Sequence, residues 1–446
     1  MHTAGTTQAA AIAAQAAHIV RPEDTLPLPQ TLAAGIQHVI AMFGATVLGP
    51  LLMGFDTNVA IFFSGIATLL FYAVLGGRIP SYLGSSFSFI GAVIAATGWA
   101  PQAGVAAGLN PHIDLALSGI IAAGALYAAI GALVMAIGAG WIEALLPPVV
   151  TGTIVAIIGL NLAPVCVGEI GKNGFTQATG LFTLALVAVL AVGLPPGSAW
   201  RRMSILIGVA IAYAIYYLAA NLGLGRLIGL DPSDPIVFSQ VAAAAWIGLP
   251  HFIAPTYNAG AVSLIAPVAI VLVAENLGHI KAIGGMLGRE RQFNGLIGRA
   301  FLADGVATMV SASCGGTGVT TYAENMGVMR VTGNFSSRTF IVAALFAILL
   351  GLSPKLGALI HTIPLPVIGG LSFVIFGIIT AVGVGIWVQN RVDFTRPRTL
   401  ITVGTALVIG SGNLTLSLGG FAFGGIATAT FAAIILWHLL GLVEAT

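Results

Sequence analysis

Apolar runs recur from one end of this chain to the other, and almost nothing charged interrupts them. Ser118–Ile137 and Leu264–Ala274 are typical, and neither contains Asp, Glu, Lys or Arg. A water-facing surface needs charge, and soluble domains devote roughly a quarter of their residues to it. Here charged residues are 7% and hydrophobic residues 58% of 446. Most of this chain therefore has lipid as its solvent. The strands of a transmembrane barrel alternate apolar and polar side chains, whereas these runs are continuous. The expected fold class is an all-α polytopic membrane protein.

A spanning helix needs about 20 apolar residues, and short connections add several more, which leaves room for roughly twelve to fourteen helices. We read fourteen segments, near 32–53, 58–76, 83–98, 115–138, 145–166, 176–194, 203–222, 259–280, 297–312, 318–329, 339–353, 365–388, 399–415 and 421–441. Basic residues collect on the cytoplasmic side of membrane proteins. With the N-terminus inside, thirteen of the sixteen basic residues fall on the inner side, and only Lys172, Arg226 and Lys355 fall outside. An even number of spans puts both termini in the cytoplasm. Residues 1–30 show no charged region followed by an apolar stretch, so they read as a cytoplasmic tail rather than a signal peptide.

Two internal echoes point to an inverted repeat. Pro148-Val-Val-Thr-Gly152 opens the fifth segment and Pro366-Val-Ile-Gly-Gly370 the twelfth, each followed by a further glycine, Gly159 and Gly377. Seven segments separate them, an odd number, so the copies cross the membrane in opposite directions. The same interval separates two stretches rich in small polar residues, Ser81–Phe89 in segment three and Ser313–Tyr322 in segment ten. Irregular backbone at membrane depth is tolerated where protein or a wet cavity surrounds it. Interrupted segments in corresponding positions are the best pointer to a transporter site near the midplane.

Three carboxylates fall within the expected spans: Glu275, Asp304 and Glu324. An ionisable group in hydrocarbon is costly unless it is paired or faces a cavity. Glu275 and His279 are four apart, on one face of segment eight. They read either as a local pair that supports the helix or as a site. A protonated glutamic acid offers one donor and one acceptor, matching the N–H/C=O edge of a cyclic imide such as uracil. Histidine is the side chain that ordinarily changes charge near neutral pH, which makes His279 a candidate proton carrier. Asp304 is a further candidate for proton coupling, or a carboxyl satisfied by its neighbours.

Glu324 opens the helical part of segment ten, where free backbone N–H groups could hold a carbonyl oxygen. Phe87, Phe89 and Tyr322 could stack on a flat ring, although a membrane Phe usually just packs. His38 could equally bridge helices. No Lys or Arg falls near the core of this region, which favours a neutral, planar and polar substrate.

Other classes find little support. No dense basic cluster suits nucleic acid, and the adjacent pair Arg201–Arg202 is the nearest approach to one. The two cysteines, Cys166 and Cys314, form no metal motif and license no disulfide. Neither HExxH, CxxC nor a P-loop occurs, so no metal, cofactor or enzymatic chemistry is expected.

Several motifs resemble bacterial uracil permeases of the nucleobase–ascorbate transporter family, including the pyrimidine-utilisation branch. They are Gln37-His38-Val-Ile-Ala-Met-Phe-Gly-Ala-Thr-Val-Leu48, Ile79-Pro-Ser-Tyr-Leu-Gly-Ser-Ser-Phe87, Ala274-Glu-Asn-Leu-Gly-His279 and Thr320-Thr-Tyr-Ala-Glu-Asn-Met-Gly-Val-Met329. Glu324 to Gly333 also fits the family signature, with Asn325, Gly327, Thr332 and Gly333 in its places. The likeness spans about Leu26 to Leu440.

The resemblance implies fourteen helices in two inverted seven-helix repeats, with short strands in segments three and ten. It implies a core made of 31–140 and 257–354 and a gate made of 141–256 and 355–446. Glu275 and Glu324 would bind the base, with His279 nearby for binding or proton coupling and the backbone at Phe87 and Ala323 completing the site. Relatives are commonly proton symporters of the cytoplasmic membrane and often homodimers. Xanthine and urate carriers of the family have Gln at the position of Glu324, so the implied substrate is uracil. Thymine, a purine or, less readily, an anion are the alternatives, and a channel is a further one. Arg330 and the long connection from Thr97 to Asp114 depart from the usual pattern.

Overall fold

Prolines and one aspartate set where the first helices begin. In the computed structural model, residues 19–99, 109–195, 198–227, 229, 234–418 and 421–444 are described. Helix α1 (Leu28–Met53) starts after Pro27 and closes on Gly54, whose φ of 74° suits a residue without a Cβ. Asp56 then accepts from the N–H groups of Asn58 and Val59 at 2.7 and 3.4 Å and opens α2 (Thr57–Leu75). A short strand β1 (Leu83–Ser85), a 3-10 turn (Phe87–Phe89) and the short helix α3 (Ile90–Thr97) follow.

The chain continues through α4 (Ile113–Ile137), α5 (Pro148–Asn161), α6 (Ala163–Ile170), α7 (Gly174–Gly193) and α8 (Ser204–Ala220). The second half opens with α9 (Ala259–Ile265), α10 (Val268–Leu287) and α11 (Ile297–Ser313). Strand β2 (Val319–Thr321) leads directly into α12 (Ala323–Thr332), and α13 (Ser337–Gly351) and α14 (Leu365–Gln389) come next. Helix α15 (Pro397–Ser411), the hairpin strands β3 (Leu416–Leu418) and β4 (Phe421–Phe423), and α16 (Gly425–Glu444) complete the chain.

The protein is predominantly helical, and eight helices among the described residues are long and apolar enough to cross a membrane. A ninth is reached if α13 and the helix Pro354–Ile360, bent by 82° from it, form one span. Within segment eight α9 gives way to α10 at Pro267, which has no N–H to give to a continuous helix, and Ala259–Leu287 is still one of those eight spans. The hairpin β3–β4 and the short helices Gly140–Leu145, Ser239–Ala243 and Pro354–Ile360 carry no long apolar run and were not expected. The connection expected between Thr97 and Asp114 falls mostly on 100–108, and the expected N-terminal tail on 1–18, both outside the described residues.

Close packing rests on small residues. Helix α4 lies along α11, α2 along α13 and α5 along α14. A Cβ on Gly131 of α4 would stand 2.7 Å from the carbonyl oxygen of Gly298 on α11, and one on Gly298 would stand 2.8 Å from that of Gly131. Glycine lets helix backbones approach where hydrocarbon solvent offers no hydrophobic drive.

The two short strands pair antiparallel, with Leu83 opposite Thr321, Gly84 opposite Thr320 and Ser85 opposite Val319. Their outer edges are capped by threonine hydroxyls. Leu83 N–H donates to Thr68 Oγ1 of α2 at 3.0 Å, and Val319 N–H donates to Thr308 Oγ1 of α11 at 3.2 Å. The irregular backbone is thus satisfied without water, as burial requires. At the chain start, Val20 pairs with the loop after α12, donating to Gly333 O and accepting from Phe335 N–H. Arg289 donates to both carboxylate oxygens of Glu23, at 2.9 and 2.5 Å, and holds that carboxyl below its usual range.

Candidate functional site

The strand pair is followed on each strand by a helix start, and both starts line one cavity of about 230 Å³. Sites for drug-sized ligands run roughly 300–1,000 Å³, so this one suits a smaller molecule. Phe87, Glu275, His279, Tyr322, Ala323 and Glu324 all line it, although they come from three separate stretches of sequence.

Glu275 lies on α10 beside the turn that follows β1, and Ser88 Oγ donates to its Oε2 at 3.1 Å. His279, one turn further along, makes no bond to Glu275. Its Nδ1 is instead 2.9 Å from Thr321 Oγ1 on β2. Of the two readings of this spacing the local pair is not formed, and each side chain is instead held by a hydroxyl from the strand regions.

Ala323 and Glu324 are the first residues of α12, which has no side-chain cap. The first N–H groups of a helix have no intrahelical partner, and here that end opens on the cavity. Tyr322 also lines it, but its hydroxyl is committed. It donates to Ser85 O at 3.0 Å and accepts from Thr46 Oγ1 at 3.2 Å. Its ring lies so close over Gly84 that a Cβ there would meet it at 2.5 Å.

Three residues singled out in the sequence do not reach the cavity. Phe89 is fully buried and packs on Gly318. His38 bridges α1 to α12: Asn325 Nδ2 donates to its Nδ1 at 3.0 Å and to its carbonyl oxygen at 3.1 Å. Asp304 is 1% exposed and lies behind the site, with Asn276 Nδ2 donating to its Oδ2 at 2.5 Å.

Asn276, Ser88 and Thr321 also hold the side chains of this site in place, and nothing local in the sequence singles them out. All three sit inside stretches already quoted, so their presence was visible and their partners were not. The facing wall is apolar: Val155 and Ile158 of α5, Ile205 of α8, and Ile375, Ile378, Ile379 and Val382 of α14. The Phe87 ring meets Phe376 edge-on at 5.7 Å across this boundary. Among the described residues no Lys or Arg lines the cavity, and no cluster of His, Cys, Asp and Glu could hold a metal.

Comparison with known proteins adds to this geometry. A family model described as Permease family, for xanthine/uracil permeases, matches residues 29–419. The putative pyrimidine permease RutG of Escherichia coli K12 is 53% identical, over 95% of this chain and 92% of that protein. The uracil permease of Paenibacillus larvae is 35% identical, over 96% of this chain and 97% of that protein. The uracil permease of E. coli K12 is 34% identical over 94% and 93% respectively.

Among solved structures, the murine Slc26a9 anion transporter in its inward-facing state aligns with a TM-score of 0.66 at 13% identity, over 95% of this chain and 70% of that one. The transmembrane domain of a cyanobacterial bicarbonate transporter aligns at 0.53 and 16% identity, over 94% of this chain and 100% of that one. At such identities the likeness speaks for the fold alone.

Proposed function

This chain belongs to the permease family of uracil and pyrimidine transporters, and on that premise we propose that it is a proton-coupled uracil symporter working by alternating access. It is a multi-pass membrane transporter and not an enzyme.

One observation carries the substrate reading. Two glutamates, a histidine and an uncapped helix start converge on a small cavity that no Lys or Arg lines among the described residues. A cyclic imide alternates N–H and C=O along one edge. In this reading the carboxyls of Glu275 and Glu324 take the N–H groups, and backbone N–H at Ala323 and Phe87 takes the carbonyl oxygens. Tyr322 supplies a fixed flank. His279 and Glu275 carry the coupling proton, with Asp304 behind them through Asn276. A strongly anionic substrate would meet two carboxyls and no counter-charge, which disfavours anion transport despite the shared fold.

The architecture we assign is fourteen spans in two inverted seven-helix repeats. The core comprises 31–140 and 257–354, and the gate comprises 141–256 and 355–446. Thr68 on the second segment and Thr308 on the ninth do the same work at β1 and β2, as residues related by a seven-segment shift would. The helix contacts obey the same exchange, since α4 with α11 becomes α13 with α2. Both termini are placed in the cytoplasm of a bacterial inner membrane, and the working unit is a homodimer.

The test is uptake of radiolabelled uracil into proteoliposomes, with and without an inward proton gradient. We expect uptake that rises with the gradient and yields to unlabelled uracil. Gradient-independent uptake would overturn the coupling. No uptake by folded protein would overturn the substrate, and thymine, other pyrimidines and xanthine would be tried next. Thymine comes first, because a relative carries the name pyrimidine permease and its extra methyl probes the pocket wall.

A further inference from the structure

Behind His279 lies a fully buried set of hydroxyl and amide groups whose protons can be counted. A primary amide has two N–H donors and two acceptor lone pairs, and a threonine hydroxyl has a single proton. Asn276 uses all four of its positions. Its Nδ2 is 2.7 Å from Tyr127 OH and 2.5 Å from Asp304 Oδ2, and its Oδ1 accepts from Thr320 Oγ1 at 3.2 Å and from Thr321 Oγ1. Asn276 and Asp304 are each 1% exposed and Tyr127 is 0% exposed, so water does not compete for these bonds.

Thr321 gives its one proton to Asn276, so towards His279 Nδ1, 2.9 Å away, its oxygen can only accept. The imidazole must then carry its proton on Nδ1. We propose that Asn276 and Thr321 are positioning residues that hold His279 as the Nδ1–H tautomer, so that Nε2 is the unprotonated nitrogen of a ring lining the cavity. This rests on reading the cavity as the proton-coupled site. A proton arriving at Nε2 leaves the Nδ1–H···Oγ1 anchor intact, so the ring gains and loses charge without turning.

The titratable groups that line the cavity with the ring are Glu275 on its own helix and Tyr322 and Glu324 from the α12 side, while Asp304 of α11 and Tyr127 of α4 are linked to it through Asn276. Among the described residues none of them is hydrogen-bonded to the ring. His38 provides a contrast within the same molecule. An amide nitrogen donates to its Nδ1, which requires the opposite tautomer, protonated on Nε2.

The experiment is nitrogen NMR of the full-length protein labelled with 15N-histidine, at neutral pH and without substrate. The two rings are assigned by difference from His279→Gln and His38→Gln. We expect His279 to show a protonated Nδ1 and an unprotonated Nε2, with His38 showing the reverse. Thr321→Val should move His279 to the Nε2–H form and remove the gradient-stimulated component of uracil uptake, and Thr321→Ser should restore both.

A wild-type His279 protonated on Nε2 would overturn the proposal. That pattern follows if the Asn276 amide is turned round and Thr321 donates to the ring. The wild-type spectrum decides the matter even if Thr321→Val does not fold. Because no substrate is present, an Nδ1–H ring in a protein that transports no uracil would sink the functional reading and leave this inference standing.

Discussion

On one side of the cavity stand Glu275, His279, Thr320, Thr321 and Glu324, and on the other Val155, Ile158, Ile375, Ile378, Ile379 and Val382. The first wall joins one face of helix α10, which carries Glu275 and His279, to interrupted backbone, the strand β2 and the uncapped start of α12. The second is built on the continuous helices α5 and α14, which touch through Gly152, Gly159 and Gly383. Directional bonds can therefore come from one wall only, and the other supplies contact without direction. In the proposed mechanism this division lets a bound base travel with the polar wall while the apolar wall slides past it. Hydrogen bonds across both walls would have to break at every step.

The largest losses are expected at the carboxyls. Glu275→Gln or Glu324→Gln should weaken uracil binding by roughly 10- to 100-fold, from about 1.5–3 kcal/mol for a hydrogen bond to a charged or ionisable partner. Calorimetry on purified protein measures this, and unchanged affinity in both variants would dissolve the polar wall as a recognition surface. Removing the support behind a carboxyl should cost less. Ser88→Ala deletes the one donor to Glu275 Oε2 among the described residues and should lower affinity by about 1 kcal/mol, or roughly fivefold.

The apolar wall should respond more weakly still, and without regard to position. Ile378→Val or Ile379→Val each removes one methylene, worth about 0.8 kcal/mol when fully buried. The expected loss is a few-fold at most, with thymine shifted relative to uracil in a competition assay. A loss as large as that of the glutamate variants would mean the gate recognises the base directly.

Furthest from both walls, Glu23→Gln should leave uptake unchanged and cost about 1 kcal/mol or less in thermal stability, as exposed ion pairs do. Arg289 lowers the pKa of Glu23 in the folded protein, so the pair's contribution is present above the ordinary carboxylate value. It is lost as pH falls through the lowered one. A melting series from pH 7 to pH 3 should show the variant and parent converge.

How far each wall could be read from sequence follows the same division. Glu275, Glu324 and His279 stand out because an ionisable residue inside an apolar run is rare and costly, whatever its neighbours are. Ile375 and Ile379 do not stand out. They differ in no local property from Val384 and Val388, which are exposed on the same helix. Pro267 separates α9 from α10, yet a proline in a membrane helix is compatible with a continuous span, and Ala259–Leu287 is long and apolar enough to cross as one, in keeping with a single segment eight.

Asn276 is the clearest case of a residue seen but not understood. It is adjacent to Glu275 in a quoted motif, and its partners Tyr127, Asp304 and Thr320 lie 149, 28 and 44 residues away. Nothing local to residue 276 names those partners.

Residue types alone give the lipid solvent, the helical class, two of the places where helices are interrupted and the ionisable side chains within the spans. Each of these follows from a cost paid locally, by a charge in hydrocarbon or a backbone group without a partner. The tertiary structure alone decided which interruptions meet, which wall of the cavity each side chain joins and which nitrogen of His279 must carry its proton. Those outcomes depend on contacts between segments far apart in the chain, and hydrogen-bond direction is settled only when every partner in the network is known.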